Sequence, residues 1–224
     1  MSRIRDASTG DLLSRTRRSG TSVETLAQGA LLLRGFAYSD AIALMEALEL
    51  ILATSPLRHM ITPGGYRMSV AMTNCGRAGW ITDRGGYRYD AVDPMSRRPW
   101  PPMPDAFLDV ATRAAAAAGF GVFEPDACLI NRYEPAARLS LHQDRNERDF
   151  GAPIVSVSLG LPAVFLFGGL RRNDRPRRVR LESGDVAVWG GSARLAFHGI
   201  EPLADGDDPL TGHCRINLTF RKAL

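Results

Sequence analysis

The clearest periodicity lies at the end of the chain. From Cys214 to Arg221 polar and apolar residues alternate one by one. Arg215, Asn217, Thr219 and Arg221 fall on one face, and Ile216, Leu218 and Phe220 on the other. Successive side chains of a strand point to opposite faces, so the stretch predicts a strand with one polar and one apolar side. Shorter apolar runs broken by Gly and Pro precede it, at about 126–133, 139–143, 153–159, 163–167, 177–181, 185–189 and 194–198. Another short buried strand is expected over Ala30 to Arg34. Many short strands bounded by turn residues predict a double-sheet jelly roll. Two helices break the strand pattern. Ser39 suits the N-cap of a helix from about Asp40 to Thr54, ending before Pro56, with Ile42, Met45, Leu48 and Leu52 as its buried stripe. Asp105 to Ala118 carries an alanine run of strong helix propensity, stopped by Gly119. The fold class is thus mainly β, of the α+β kind, with helices flanking the sheets.

Between 56 and 104 the texture changes to crowded Gly, Pro and aromatic residues, as in Gly85-Gly-Tyr-Arg-Tyr89 and Pro99-Trp-Pro-Pro-Met-Pro104. That reads as hairpins and loops. Residues 1–28 are polar and without periodicity at their start, and are expected to be a disordered tail ahead of one domain over 29–224.

Composition narrows the class. With 224 residues and 45% hydrophobic side chains, the chain can bury a full core. Three cysteines without CxxC spacing suit reduced, buried thiols in a cytoplasmic protein. No apolar run of roughly eighteen residues is present, which argues against a membrane helix, and no signal-peptide core stands at the N-terminus. The net charge of +4 favours an anionic partner only weakly. The basic residues are concentrated, with six arginines in Arg171–Arg180. Such a run is either a solvated hairpin or an edge that contacts phosphates.

Candidate chemistry centres on Leu139-Ser-Leu-His-Gln-Asp144. In an extended strand His142 and Asp144 would point to the same side. His198 offers a third ligand. Two imidazoles and one carboxylate leave the remaining positions of an octahedral ion open, as in the facial triad of non-haem Fe(II) oxygenases. An isolated H-x-D is more often a surface His beside a solvated Asp. The polar face of the last strand changes that balance, because Arg215, Asn217 and Arg221 on one side suit a dicarboxylate.

These pieces, with Thr62-Pro-Gly-Gly-Tyr66, Met68–Gly76, Pro125–Tyr133, Pro153–Gly160 and Gly184–Gly191, resemble the AlkB family of Fe(II)- and 2-oxoglutarate-dependent nucleic-acid dealkylating dioxygenases. The resemblance covers nearly the whole chain from Gly29. It implies a double-stranded β-helix core over 105–224, covered by a nucleotide-recognition lid over 56–104. It implies Fe(II) on His142, Asp144 and His198. The C5 carboxylate of 2-oxoglutarate would pair with Arg215, helped by Asn217 and Tyr133, while Asn131 and Arg221 would lie by the C1 end. Trp80 would stack on the damaged base, with a core tryptophan as the alternative, and Tyr87 would contact a backbone phosphate. Met72 and Trp189 would line the pocket, and Arg172 would reach the substrate. The implied reaction is oxidative removal of N-alkyl groups from 1-methyladenine, 3-methylcytosine or etheno adducts. The implied partner is alkylated DNA, single- or double-stranded, with RNA as a further substrate, and the protein would act as a monomer.

One departure stands out. Bacterial relatives carry acidic residues two and three places after the ligand Asp, and here those places hold Asn146 and Glu147. An uncharged Asn146 is expected to weaken the preference for cationic bases. Two other readings remain open at this level: an oxygenase acting on a protein or small molecule, and a noncatalytic nucleic-acid-binding module on the same scaffold.

Overall fold

The structure is a computed structural model and describes residues 22–224. Its first half holds β1 (Ser22–Ala27), β2 (Ala30–Arg34), α1 (Ala41–Leu52), β3 (Arg58–Ile61), β4 (Arg67–Gly76), β5 (Gly79–Asp83), β6 (Gly86–Asp90) and α2 (Asp105–Ala117). The second half holds β7 (Ala127–Tyr133), β8 (Leu139–His142), β9 (Ile154–Gly160), β10 (Ala163–Phe167), β11 (Arg177–Leu181), β12 (Val186–Trp189), β13 (His198–Ile200) and β14 (Arg215–Arg221).

Eight strands form one antiparallel sheet in the order β1-β2-β12-β9-β14-β7-β4-β3. Four more form a smaller sheet, β11-β10-β13-β8, and β5-β6 stands as a separate hairpin. The two larger sheets face each other as a jelly roll. Strand β14 sits inside the large sheet, paired with β7 on one side and β9 on the other. Its alternation then sorts side chains between two environments. Ile216, Leu218 and Phe220 join the layer in which Leu44, Leu48 and Ile51 of α1 and Phe107, Val110 and Ala114 of α2 cover the outer sheet face. Burying a Leu, Ile or Phe stabilises by about 1.5–3 kcal/mol each, so this layer anchors the sheet. The opposite faces of β14, β7 and β4 look into the space between the sheets. There Leu32, Met72, Leu129 and Trp189 meet Phe165, Phe167, Leu181 and Ile200 of the small sheet. No helix among the described residues is long and apolar enough to cross a membrane.

Several elements differ from the sequence expectation. The expected tail over 1–28 is cut short, because Ser22–Ala27 pairs antiparallel with β2 and extends the large sheet; residues 1–21 lie outside the described residues. The segment 56–104 is not wholly loops and hairpins over a separate core. Its β4 pairs along six residues with β7, so it builds one wall of the core, and only β5–β6 stands apart. Helix α1 starts one place later than expected: Asp40, not Ser39, is its N-cap, with no side-chain cap bond. Its stripe is also rotated. Ala41, Leu44, Ala47, Leu48 and Ile51 face inward, while Ile42 is 67% exposed. Small alanines allow the helix to lie close to its neighbours, and the choice among several apolar stripes was made by packing. The strand expected at 194–198 is instead β13 at His198–Ile200, preceded by a 3-10 turn at Gly191–Ala193.

Candidate active site

The register of the small sheet brings the two histidines together. His198 of β13 lies opposite His142 of β8, so both imidazoles leave the sheet on the same face, with ring centroids 4.4 Å apart. Each ring is fixed by the main chain two residues before it. His142 Nδ1 lies 2.9 Å from Ser140 O and His198 Nδ1 lies 3.0 Å from Ala196 O. A carbonyl only accepts, so both Nδ1 atoms carry the proton and both Nε2 lone pairs are free to face a metal. Asp144 lies beside His142, as the H-x-D spacing suggests, with its Oδ1 3.7 Å from His142 Nε2. Strand β8 ends at His142, and Asp144 lies beyond it. Its carboxylate is held by Arg221, whose Nε and Nη2 donate to Oδ2 at 2.8 and 2.6 Å. The three residues converge: one ligand atom from each lies within 4.8 Å of the others.

The charges of the site are set by burial and by neighbours. Burial and the adjacent His142 push the His198 pKa down to about 4, against the pull of Asp144, so the ring is neutral near pH 7. Burial opposes the Asp144 charge, but Arg221, His198 and His142 outweigh it and hold the carboxyl far below the usual range. Burial likewise opposes the Arg221 charge, and Asp144, Tyr89 and Glu147 more than restore it. Two imidazoles and an ionised carboxylate around one point form a donor set that fits Fe(II) and leaves positions for other ligands.

The polar face of β14 closes the far end of the same cavity. Arg215 is buried to 1% exposure. Its Nη2 donates to Ser158 Oγ at 2.9 Å, while Nε and Nη1 have no hydrogen-bond partner among the described residues. Two idle donors on a buried guanidinium make a fork that a carboxylate fits, and 2-oxoglutarate carries such a group. The Tyr133 ring lies beneath the guanidinium, 5.0 Å from it. Asn217 lines the cavity, but its amide donates to Ser156 Oγ and Val157 O, and its oxygen accepts from Asn131 Nδ2 and Thr219 Oγ1. With those bonds made it braces the wall. Asn131 Oδ1 has no hydrogen-bond partner among the described residues. Arg221, expected at the C1 end, is committed to Asp144.

The cavity has a volume of about 1050 Å³ and runs from Arg215 past the triad to an aromatic mouth. There Trp80 of β5 and Tyr87 of β6 stack with centroids 5.7 Å apart and planes 22° apart. Trp80 is partly exposed and lines the cavity, and it also packs against the buried cluster between the sheets. Its Nε1 donates to Asn146 Oδ1 at 3.3 Å. Met72 is buried opposite Asn131 in the wall. Arg67, Arg138, Arg145 and Arg172 ring the opening, and none of the four has a carboxylate partner among the described residues. Arg172 also lies over the Phe197 ring at 5.8 Å. The arginine run at 171–180 divides accordingly. Arg171, Arg177, Arg178 and Arg180 are paired with Asp174, Glu24, Glu201 and Glu182. Most of that run is an ion-paired edge, and Arg172 is the member of it that lines the cavity.

Three residues escaped the sequence reading of the site. Arg194 is buried, with Nη1 donating to the Asp144 main-chain oxygen at 2.9 Å and Nη2 lying 3.3 Å from Glu147 Oε2. Tyr89 donates to Glu147 Oε1 at 2.7 Å. Ser158 accepts from Arg215. The alternation Tyr87-x-Tyr89 was the one available signal, since it puts a second tyrosine on the side of the hairpin that carries Tyr87.

Gly199 sets the tolerance of the histidine pair. A Cβ there would lie 2.6 Å from Leu139 O and 3.1 Å from Leu141 N, both backbone of β8. Backbone cannot step aside as a side chain can. Gly199→Ala is expected to lower unfolding free energy by about 2 kcal/mol and to weaken Fe(II) binding, as read by urea titration and by metal titration.

The 2OG-Fe(II) oxygenase superfamily profile matches residues 29–221. The chain is 60% identical over 200 residues to "Alpha-ketoglutarate-dependent dioxygenase AlkB" of Escherichia coli (strain K12), covering 89% of this chain and 93% of that one. It is 34% identical over 121 residues to "Nucleic acid dioxygenase ALKBH1" of Homo sapiens, covering 54% of this chain and 31% of that protein. The solved structure of OsALKBH1 superimposes with a TM-score of 0.79 at 28% identity, covering 90% of this chain and all (100%) of that one.

Proposed function

This chain belongs to the 2OG-Fe(II) oxygenase superfamily, and within it to the AlkB family of 2-oxoglutarate-dependent dioxygenases, and on that premise we propose that it removes alkyl groups oxidatively from bases of nucleic acids. One observation carries the reading: a single cavity is lined by the histidine–aspartate set, by the half-satisfied Arg215 and by the Trp80–Tyr87 pair. An aromatic pair at the mouth gives a base taken out of its stack a face to lie on. The unpaired arginines beside it suit the phosphates that such a base brings.

In this reading His142, Asp144 and His198 hold Fe(II). Bound there with 2-oxoglutarate and O₂, the iron would supply hydroxylation of the N-alkyl carbon as 2-oxoglutarate is converted to succinate and CO₂, and the hydroxylated alkyl group would then leave as an aldehyde to give the unmodified base. The chain's own residues fix positions and exclude water. Arg215 grips the distal carboxylate of 2-oxoglutarate, with Tyr133 against its guanidinium. Asn217 and Asn131 keep the wall in register through their mutual bond. Arg221 keeps Asp144 ionised and aimed. Met72 and Trp189 shape the apolar wall, Trp80 stacks on the base, Tyr87 and Arg172 meet the backbone, and Asn146 faces the base edge. The three free cysteines are all buried, which suits a reducing cytoplasm, and a monomer acting on single- or double-stranded DNA, or on RNA, completes the reading.

The test is direct. A 3-methylcytosine oligonucleotide incubated with the protein, Fe(II), ascorbate and 2-oxoglutarate is expected to lose one methyl group by mass, and succinate formation is expected to rise with the oligonucleotide. Succinate formation indifferent to every methylated oligonucleotide would point to a protein or small-molecule substrate.

The lesion preference turns on Asn146, whose oxygen accepts from Trp80. An aspartate can accept the same bond while adding a charge near the base. Asn146→Asp is expected to raise turnover of cationic 3-methylcytosine relative to a neutral etheno adduct by up to about fivefold, since the exposed position screens the charge to roughly 1 kcal/mol. Competition between the two lesions in one mixture measures the ratio, and an unmoved ratio removes the role.

A further inference from the structure

The hairpin that carries the aromatic mouth is fastened to the segment that carries the iron ligand. Trp80, Tyr87 and Tyr89 lie on one face of β5–β6, because Trp80 is directly opposite Tyr89 and Tyr87 is its diagonal neighbour. From this face two bonds cross to consecutive residues just beyond Asp144. Trp80 Nε1 reaches Asn146 Oδ1, and Tyr89 OH donates to Glu147 Oε1 at 2.7 Å. Glu147 is buried and lies between two guanidiniums, 3.4 Å from Arg221 Nε and 3.3 Å from Arg194 Nη2. Those same guanidiniums hold Asp144 from both ends: Arg221 by its carboxylate and Arg194 by its main-chain oxygen. Two carboxylates and two guanidiniums thus balance each other out of water. Tyr89 brings the hairpin's hydroxyl into that group. Burial keeps the Tyr89 hydroxyl protonated well above the ordinary tyrosine range, so it stays a donor.

Resting on the functional reading above, we propose that Tyr89 is a positioning residue that transmits occupation of the Trp80–Tyr87 seat, through Glu147 and Arg221, to the orientation of the metal ligand Asp144. A base settling on the seat shifts the hairpin. Glu147 follows the Tyr89 hydroxyl, and Arg221 is drawn toward or released from Asp144. The carboxylate then changes its angle to the metal when substrate is present. The chain is made of packed, hydrogen-bonded groups with little slack, which is what coupling over this distance requires. The shared Glu147 is the point where the nucleotide side and the metal side meet.

Tyr89→Phe deletes only the hydroxyl and keeps the ring packed. The experiment uses Fe(II)-loaded protein with 2-oxoglutarate under nitrogen. The probe is a single-stranded 3-methylcytosine oligonucleotide, and the readout is the near-infrared ligand-field spectrum before and after its addition. Oligonucleotide affinity and melting temperature are measured alongside. The parent is expected to show a spectral change on addition. The variant is expected to bind the oligonucleotide within about threefold of the parent, to melt near it, and to show the change abolished or greatly reduced. A variant that binds and shifts its spectrum as the parent does overturns the coupling. A parent that binds but shows no change also overturns it and leaves the functional reading intact. A parent that binds no methylated oligonucleotide fails that reading, and the coupling with it. If the variant does not fold well enough to bind, Glu147→Gln, which keeps an acceptor for Tyr89 but removes the charge shared with Arg221, takes its place: a retained spectral change there overturns the proposal and a lost one supports it.

Discussion

Asp144→Ala is expected to abolish 2-oxoglutarate turnover and, in the metal-free protein, to lower unfolding free energy by about 3 kcal/mol, the lower end of what breaking a buried ion pair costs. Both effects follow from one contact. Arg221 is buried and donates twice to Asp144 Oδ2. Without that carboxylate a guanidinium stays out of water with Glu147 as its nearest remaining acid, 3.4 Å away. His142→Ala removes a ligand of the same metal but leaves no charge stranded, because the His142 side chain is 34% exposed and its ring bond is to a main-chain oxygen. That variant is expected to lose turnover equally while staying within about 1 kcal/mol of the parent in stability. Succinate detection and urea titration of the two metal-free variants separate ligation from architecture. Equal stabilities for Asp144→Ala and His142→Ala would mean that Arg221 does not depend on Asp144.

The contrast between those residues also marks how far the chain could be read without coordinates. The face of β14 that carries Arg215, Asn217, Thr219 and Arg221 was legible because strand periodicity is local: the polar face and the apolar face are printed in adjacent residues. His142 and His198 were legible as chemistry, being two of only four histidines. Their pairing depends on the register of β8 with β13, which is set by contacts far apart in the chain. Asp144 lies beside His142 as the H-x-D spacing suggests, although it falls past the end of its strand and is held there by Arg221. Ion pairs were the least legible part. Arg177 meets Glu24 across a separation of 153 residues, so nothing near Arg177 tells a paired arginine from a phosphate contact. Arg194 and Tyr89 were missed for the same reason, because their meaning lies in Glu147 and Asp144 and not in their neighbours. The errors in α1 have a different origin. Its leucines, isoleucines and alanines offer more than one apolar stripe, and packing against α2 and the large sheet selected among them.

Arg215→Met is expected to move stability and binding in opposite directions. Arg215 is buried with Nε and Nη1 unpartnered among the described residues, and burial lowers its pKa while Tyr133 opposes the fall. Unsatisfied buried donors of this kind cost about 1–3 kcal/mol. Methionine has a similar length and no donors, so the ligand-free variant is expected to gain stability of that order, less what is lost with the Ser158 bond and the Tyr133 contact. The same substitution removes the fork for the distal carboxylate. Truncating one partner of a buried charged pair costs roughly 2–5 kcal/mol, so the KM for 2-oxoglutarate is expected to rise about 10²–10³-fold. If the grip is the same in ground and transition states, kcat at saturating 2-oxoglutarate is retained. Arg215→Lys keeps the charge but not the planar fork, and its KM is expected to fall between the two. Thermal melts of ligand-free protein and steady-state kinetics over a range of 2-oxoglutarate concentrations give both signs at once. A lower melting temperature with an unchanged KM would reverse the assignment: Arg215 would then be a strut for Tyr133 and Ser158, and the distal carboxylate would be held elsewhere. A stabilised protein that no longer saturates with 2-oxoglutarate would mean that the chain keeps a destabilising charge in its core because the cosubstrate completes it.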